Sequence, residues 1–186
     1  MKSYPEYSIV QNPASICPPE LFGKLVAIPI RFIAFPEGLI KGIGDEIEGG
    51  GIIEVHGDLI ADVEALFRFM LAERFPLSSV LPIACFGWND ERSMAANNTS
   101  GFNYRMIAGT KRLSNHASGR AIDINPLLNP FIRGEIIQPA GAIYDPLRPG
   151  TLTATSPVTR FLKDRGWIWG GDWESLKDYQ HFEKPE

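Results

Sequence analysis

An α+β fold, a small antiparallel sheet with helices packed on it, is what the sequence predicts. Three observations lead there. Helical and strand-like patterns are mixed without a regular strand–helix–strand alternation, which disfavours a doubly wound sheet. The chain holds 18 Gly and 15 Pro among 186 residues, more than a helical bundle uses, so turns and loops are frequent. Hydrophobic residues at 44% and charged residues at 22% match a globular chain of one domain, 1–186, able to bury a core without staples.

Residues 1–20 are rich in Pro and Ser and are expected to wrap the surface. Leu25–Phe35 is apolar and β-branched, which predicts a strand interrupted at Pro29. Gly49-Gly50-Gly51 reads as a flexible turn, followed by a short strand Ile52–Val55. Leu59, Val63, Leu66, Phe67, Met70 and Leu71 recur at helical spacing and predict a helix from Leu59 to Phe75, with Asp58 as N-cap and the stripe packed in the core. Val80–Phe86 reads as a strand, and Gly87–Ser100 as a polar loop in which Asn89-Asp90-Glu91-Arg92 is a solvated run. Gly119–Asn125 predicts a strand ending at Pro126, then an irregular stretch, Asn129–Thr155, that is the obvious segment to close a cleft. Ser156 and Pro157 supply a cap and a first-turn proline for a helix through Asp164, ended by Gly166. Trp167–Trp173 and His181–Glu183 read as short strands.

The balance of 22 acidic against 18 basic residues gives a net charge of −4. That is not the basic footprint of a nucleic-acid binder, nor one drawn to an anionic membrane. No apolar run is long enough to span a bilayer. The opening MKSYPEYSIVQNP lacks the apolar stretch of a signal peptide, so the chain is either made without one or numbered after its removal. Cys17 and Cys85 form no CxxC motif; they either pair in an oxidising compartment or serve as two small buried hydrophobes. A monomer is expected.

Several catalytic signatures are absent: SxxK, GxSxG, a phosphate-binding GxxxxGK loop and HExxH. Of three histidines, His56 has no acidic partner motif and reads as a surface or capping residue. His116 and His181 sit in compact polar clusters. In Ser114–Asp123, Gly119 lets the chain turn, and the following alternation sends Ile122 and Ile124 to the core and Asp123 to the other face. His116 can return over that carboxylate from the preceding loop, and an imidazole and a carboxylate converging in this way suit Zn²⁺. In Asp178–Glu183, a helical turn would place Asp178 and His181 on one side. His181 then makes a third ligand, leaving a fourth position for water, as in a catalytic rather than a structural zinc site. A carboxylate that is not a ligand can take the water's proton; Asp178 is the first choice, with Glu183 as its rival on a strand.

The motifs also carry a resemblance. Ser114–Asp123, SNHASGRAID, fits the SxHxxGxAxD pattern of the M15 zinc peptidases. That group holds D-alanyl-D-alanine carboxypeptidases, dipeptidases and L-alanyl-D-glutamate endopeptidases. GWIWGGDWESLKDYQHFE resembles the second motif, in which an acidic residue stands three before the last histidine ligand. NNTSGFNYR looks like the segment supplying an active-site arginine. The resemblance runs from about Ile52 to Glu183, and WGGDW with HFE is similar to the endolysin-like wall hydrolases.

That resemblance implies His116, Asp123 and His181 as ligands of Zn²⁺, Asp178 as the catalytic acidic residue and Arg105 as the cation that stabilises the oxyanion. Where several members carry Glu, this chain has the shorter Asp178. Ser114 either orients a ligand or contacts substrate. One tryptophan of Trp167, Trp169 and Trp173 is expected to touch substrate, and Trp169 is chosen. The implied substrate is the stem peptide of bacterial peptidoglycan, which favours an extracytoplasmic place. The alternative is a wall-peptide binding module that keeps the zinc and lacks turnover; a third reading is a two-carboxylate glycosidase.

Overall fold

Alternating burial along Leu25–Phe32 shows why this segment is an extended strand: Ile28, Ile30 and Phe32 face the core while Ala27, Pro29 and Arg31 face outward. The structure, a computed structural model, describes residues 17–35 and 47–186; most of the expected surface-wrapping segment, residues 1–16, lies outside it. After a single helical turn, α1 (Pro19–Phe22), the strand β1 (Leu25–Ala34) pairs antiparallel along its whole length with β2 (Ile47–His56). A short strand β3 (Pro76–Leu77) adds in parallel at Ile33 and Ala34 only.

This hairpin corrects two expectations. Pro29 does not interrupt β1, because β3 leaves that part of the strand as an edge, where a missing N–H is tolerated. The triple glycine is not a turn. Gly49, Gly50 and Gly51 lie inside β2 opposite Phe32, Arg31 and Ile30, where they permit close approach. A Cβ on Gly51 would stand 2.3 Å from the Val80 carbonyl oxygen, and one on Gly49 would stand 2.7 Å from the Phe32 ring.

The helix α2 (Ile60–Ala72) lays Val63, Leu66, Phe67 and Met70 on this hairpin, each such burial contributing about 1.5–3 kcal/mol. It starts one turn after His56. The cap expected of Asp58 belongs to that histidine: His56 Nδ1 accepts from the Asp58 amide at 3.2 Å, while the Asp58 carboxylate meets Arg120 Nη1 at 3.2 Å.

Beyond α2 the regular elements are shorter than predicted. Of the expected Val80–Phe86 strand only Val80 is extended, joined to Ser79 as β4 (Ser79–Val80) and paired in parallel with β5 (Asn98–Thr99). Pro82 then opens a 3₁₀ turn, Ile83–Phe86, closed by Gly87. The polar 87–100 loop contains a helix, α3 (Asp90–Ala95), whose Asn89 side chain accepts from Arg92 N at 2.9 Å. Cys17 is a buried thiol packed with Ile83 and Phe102, whereas Cys85 is exposed.

The strand β6 (Ala121–Asp123) falls inside the predicted 119–125 segment. The stretch 129–155 is less irregular than expected, since β7 (Phe131–Arg133) and β8 (Ile136–Gln138) form a hairpin about Gly134. The helix α4 (Pro157–Lys163) has the predicted cap, Ser156 Oγ accepting from Thr159 N at 3.4 Å. Of 167–173 only Ile168–Trp169 is a strand, β9, and β10 (Lys177–Asp178) and β11 (His181–Glu183) follow.

The fold class is α+β as predicted, but among the described residues four separate sheets replace the single one: β2-β1-β3, β10-β7-β8, β6-β11-β9 and β4-β5. One core cluster spans the hairpin, α2, α4 and the β6-β11-β9 sheet. Beside it, the fully buried Asn125 and Asn129 spend their amides on loop backbone. Asn125 donates to the carbonyls of Pro76 and Gly150, and Asn129 accepts from Leu152 N at 2.6 Å. No helix among the described residues is long and apolar enough to cross a membrane.

The contact at Gly51 gives a test. Gly51→Ala drives a methyl into the Val80 backbone and should lower stability by about 1–3 kcal/mol, read from the urea midpoint. An unchanged midpoint would mean that β2 and β4 separate without cost.

Candidate metal centre

The site is assembled by strand register. Along β6 and the residue after it, Ile122 and Ile124 are fully buried in the core while Asp123 turns to the opposite face. Its backbone is fixed on both sides. Ser100 exchanges two hydrogen bonds with it, at 2.9 and 3.0 Å, and His181 lies directly opposite on β11. His116 comes from a 3₁₀ turn, Asn115–Ser118, ahead of β6. Ser114 Oγ accepts from His116 N at 3.3 Å and starts that turn. Gly119 ends it in the left-handed region (φ 71°), where a Cβ would come within 2.6 Å of the His56 nitrogen. The side chain at 119 must therefore be absent for His116 to return over β6.

The three side chains converge. His116 Nε2 lies 3.1 Å from Asp123 Oδ2, His181 Nδ1 lies 3.0 Å from Asp123 Oδ1, and the two nitrogens are 3.1 Å apart. All three residues are buried. The outer nitrogen of each imidazole is already engaged. His116 Nδ1 donates to the Gly101 carbonyl at 2.5 Å, and His181 Nε2 donates to Glu183 Oε2 at 3.0 Å. With those tautomers the inner nitrogens present lone pairs, and they face a carboxylate that also only accepts. Acceptors gathered in this way call for a cation. The edges of the triangle are close to the roughly 3.3 Å separating donor atoms of a tetrahedral zinc with bonds of about 2.0–2.1 Å. The donor set, two imidazoles and a carboxylate with each imidazole held from behind, fits zinc.

Electrostatics express the same crowding. Burial alone would raise the Asp123 carboxyl, but the charges and hydrogen bonds of His116 and His181 hold it far below the usual carboxylate range. Burial would lower His181, yet Asp123 and Glu183 push it up to about 10. The hydrogen bond from His181, reinforced by Asn115 Nδ2 at 2.7 Å, keeps Glu183 below its ordinary value despite partial burial. A metal must therefore displace a proton from this cluster.

Asp178 reaches the region differently from the sequence expectation. Residues 178–181 are not a helical turn: Asp178 ends β10, opposite Phe131, and the chain turns at Tyr179 and Gln180 into β11. Burial, with Asp123 adding to it and His181 and His116 opposing, raises the Asp178 carboxyl to about 6. Its Oδ1 is buried without a hydrogen-bond partner among the described residues. Arg105 lies on the strand-like segment whose carbonyl accepts from Ser114 N. Its Nε sits 3.1 Å from Asp90 Oδ2 as an ion pair.

The remaining expected contacts are placed as follows. Ser114 is buried with its hydroxyl in the cap. Trp169 is 2% exposed and packs in the core, its Nε1 donating to the Tyr179 carbonyl. Trp173, partly exposed, is the tryptophan whose ring lies over His181, with centroids 5.5 Å apart. His56 is a capping residue, as expected. Asp172 pairs with Lys163 at 2.6 Å. The sequence reading did not foresee Gly101 and Asn115 behind the ligands. Glu183 was foreseen as sharing the His181 face, and on β11 it holds the imidazole.

Residues 108–184 match the family model described as D-alanyl-D-alanine carboxypeptidase. The match supports an M15-family peptidase, and hence a hydrolase. It contains His116, Asp123, Asp178 and His181 but begins after Arg105, and it is narrower than the Ile52–Glu183 span of the motif resemblance. No curated protein and no solved structure matches the chain.

The Asp178 proton is bound more tightly folded than unfolded. Its contribution to stability is complete below the ordinary value near 3.8 and is lost as pH rises through about 6. In the metal-free chain, Asp178→Asn should thus raise the melting temperature at pH 8 by a few degrees, on the order of 2 kcal/mol, and leave it unchanged at pH 3. Calorimetry showing the same offset at both pH values would contradict that burial.

Proposed function

We propose that the chain is a zinc-dependent peptidase that hydrolyses peptide bonds in the stem peptides of bacterial peptidoglycan. The reading covers the D-alanyl-D-alanine carboxypeptidase and L-alanyl-D-glutamate endopeptidase types. The observation that carries it is the union of an acceptor-only His-Asp-His triangle with a separate buried carboxyl, Asp178, held near pH 6. A structural metal site needs no such carboxyl, and burying one with an oxygen left unpartnered is costly.

The proposed division of labour follows. His116 Nε2, His181 Nδ1 and Asp123 would hold the zinc, which when bound would act as a Lewis acid toward a carbonyl and lower the pKa of water. Asp178, ionised above about pH 6, takes a proton from the attacking water and returns it to the leaving amine. Arg105, whose Nε forms an ion pair with Asp90, would supply the guanidinium that stabilises the oxygen on which negative charge develops. Trp173 gives an apolar wall beside His181. The Gly101 and Glu183 acceptors keep both imidazoles in the tautomer that binds metal. Such a substrate favours a place outside the cytoplasm, in the periplasm or the wall.

The competing reading is a zinc-containing wall-peptide binding module without turnover. Asp178→Ala separates the two. Zinc content after dialysis should be unchanged, while release of fragments from purified peptidoglycan falls by about 10²–10⁴. Equal turnover in that variant would remove Asp178 from the chemistry. No turnover in the zinc-loaded wild type would favour the binding module.

A further inference from the structure

The fold buries the Gln180 side chain and leaves its amide little to bond. Gln180 lies between Asp178, which ends β10, and His181, which opens β11, and it is 3% exposed. The backbone here is fixed. The Gln180 carbonyl accepts from Ile124 N at 3.0 Å, and Tyr179 N donates to the Pro130 carbonyl at 3.2 Å. The side chain is not fixed in the same way. Its Nε2 donates to Met94 Sδ of α3 at 3.7 Å, and a thioether is a weak acceptor. Its Oε1 is buried with no hydrogen-bond partner among the described residues. A buried amide in this state is costly. A leucine or methionine would fill the same space beside Met94 without that cost, so packing alone does not account for the residue.

The carboxyl two residues earlier has the complementary need. Asp178 Oδ1 is likewise buried with no partner among the described residues. Its backbone is pressed from the other side: a Cβ on Gly170 would stand 2.6 Å from the Asp178 carbonyl oxygen and 2.8 Å from the Asp178 Cβ. Burial raises the Asp178 carboxyl, and the side chain whose hydrogen bonding opposes that rise is Gln180. An amide nitrogen carries two N–H groups. Met94 Sδ takes one, which leaves the second for the carboxylate. Once protonated, the carboxyl becomes a donor, and the Oε1 of the same amide can turn to accept because its terminal torsion is soft. A carboxamide thus serves both forms of an acid–base group and exchanges no proton itself.

We propose that Gln180 is the positioning residue of the Asp178 carboxyl, donating to it from Nε2 while it is the base and accepting at Oε1 while it carries the water's proton. This role rests on the peptidase reading, in which Asp178 passes that proton on to the leaving amine. Gln180 acts through Asp178 alone and holds neither the substrate nor the metal.

Gln180→Met keeps the length and the packing and removes the amide. The zinc-loaded wild type, Gln180→Met, Asp178→Ala and the double variant are compared on soluble muropeptides cut from purified peptidoglycan. Gln180→Met should retain its zinc and lower kcat by about tenfold or more, with KM changed by less than about twofold. On the Asp178→Ala background the same substitution should alter the residual rate by less than about twofold, because the group it acts through is gone. An unchanged kcat, a loss carried by KM, or an equal loss on both backgrounds (a structural role) would overturn the positioning role. A second measurement needs no turnover. In the ¹⁵N-labelled chain the Gln180 side-chain amide protons, assigned by their loss in Gln180→Met or, if that chain does not fold, in Gln180→Glu, should move upfield in Asp178→Ala. Protons that stay in place overturn the positioning role alone. Protons that move in a zinc-loaded wild type that cuts nothing overturn the peptidase reading alone.

Discussion

Two imidazole nitrogens and a carboxylate, each about 3 Å from the next and all offering lone pairs, are the constraint around which this chain is arranged. Left to themselves they repel, and only a proton or a metal ion relieves them. The fold nevertheless holds them rigidly. Asp123 is clamped between Ser100 and His181 by backbone pairing, and His116 is capped by Ser114 and released by Gly119. Gly101 and Glu183 take up the outer nitrogens. In the metal-free chain a proton on His181, held by Asp123 and Glu183, takes the place that a cation can fill, which is why the cluster reads as a site and not as a core.

The surrounding structure serves this rigidity. The β1–β2 hairpin with α2 supplies the bulk of the buried apolar surface, and the small β6-β11-β9 sheet is anchored to it through Ile122, Ile124 and Phe182. Buried asparagines pin the chain that follows β6, so that Asp123 cannot drift along its strand axis. Asp178 arrives from a different sheet, β10-β7-β8. The candidate base and the candidate ligands thus meet at a seam between two sheets, where a carboxyl can be buried close to charge without being tied to it.

The sequence displayed the ligands because they are local. His116, Gly119 and Asp123 fall within eight residues, and the alternation of Ile122, Asp123 and Ile124 states which way the carboxylate faces. His181 and Glu183 share a face by the two-residue period of a strand. What stayed hidden depends on distant partners. Asp178 looked like part of a helical turn because its strand partner, Phe131, lies 47 positions earlier. The triple glycine looked like a turn because nothing in the sequence announces that Phe32 and Val80 press against it. Pro29 looked like a break because the short reach of β3 is a tertiary fact. The β7–β8 hairpin did leave a sign, a two-residue Gly134-Glu135 loop between Ile132-Arg133 and Ile136-Ile137, of the kind that makes tight hairpins.

One cation shared by His116, Asp123 and His181 is what the site is built to hold. Zinc-edge X-ray absorption of the chain, loaded with zinc and then dialysed exhaustively, measures this directly. It should show one zinc per chain with two imidazole nitrogens and a carboxylate oxygen at about 2.0–2.1 Å, a signal lost in His116→Ala. A wild-type chain that emerges without zinc, or with zinc bound through sulfur or through water alone, would contradict it.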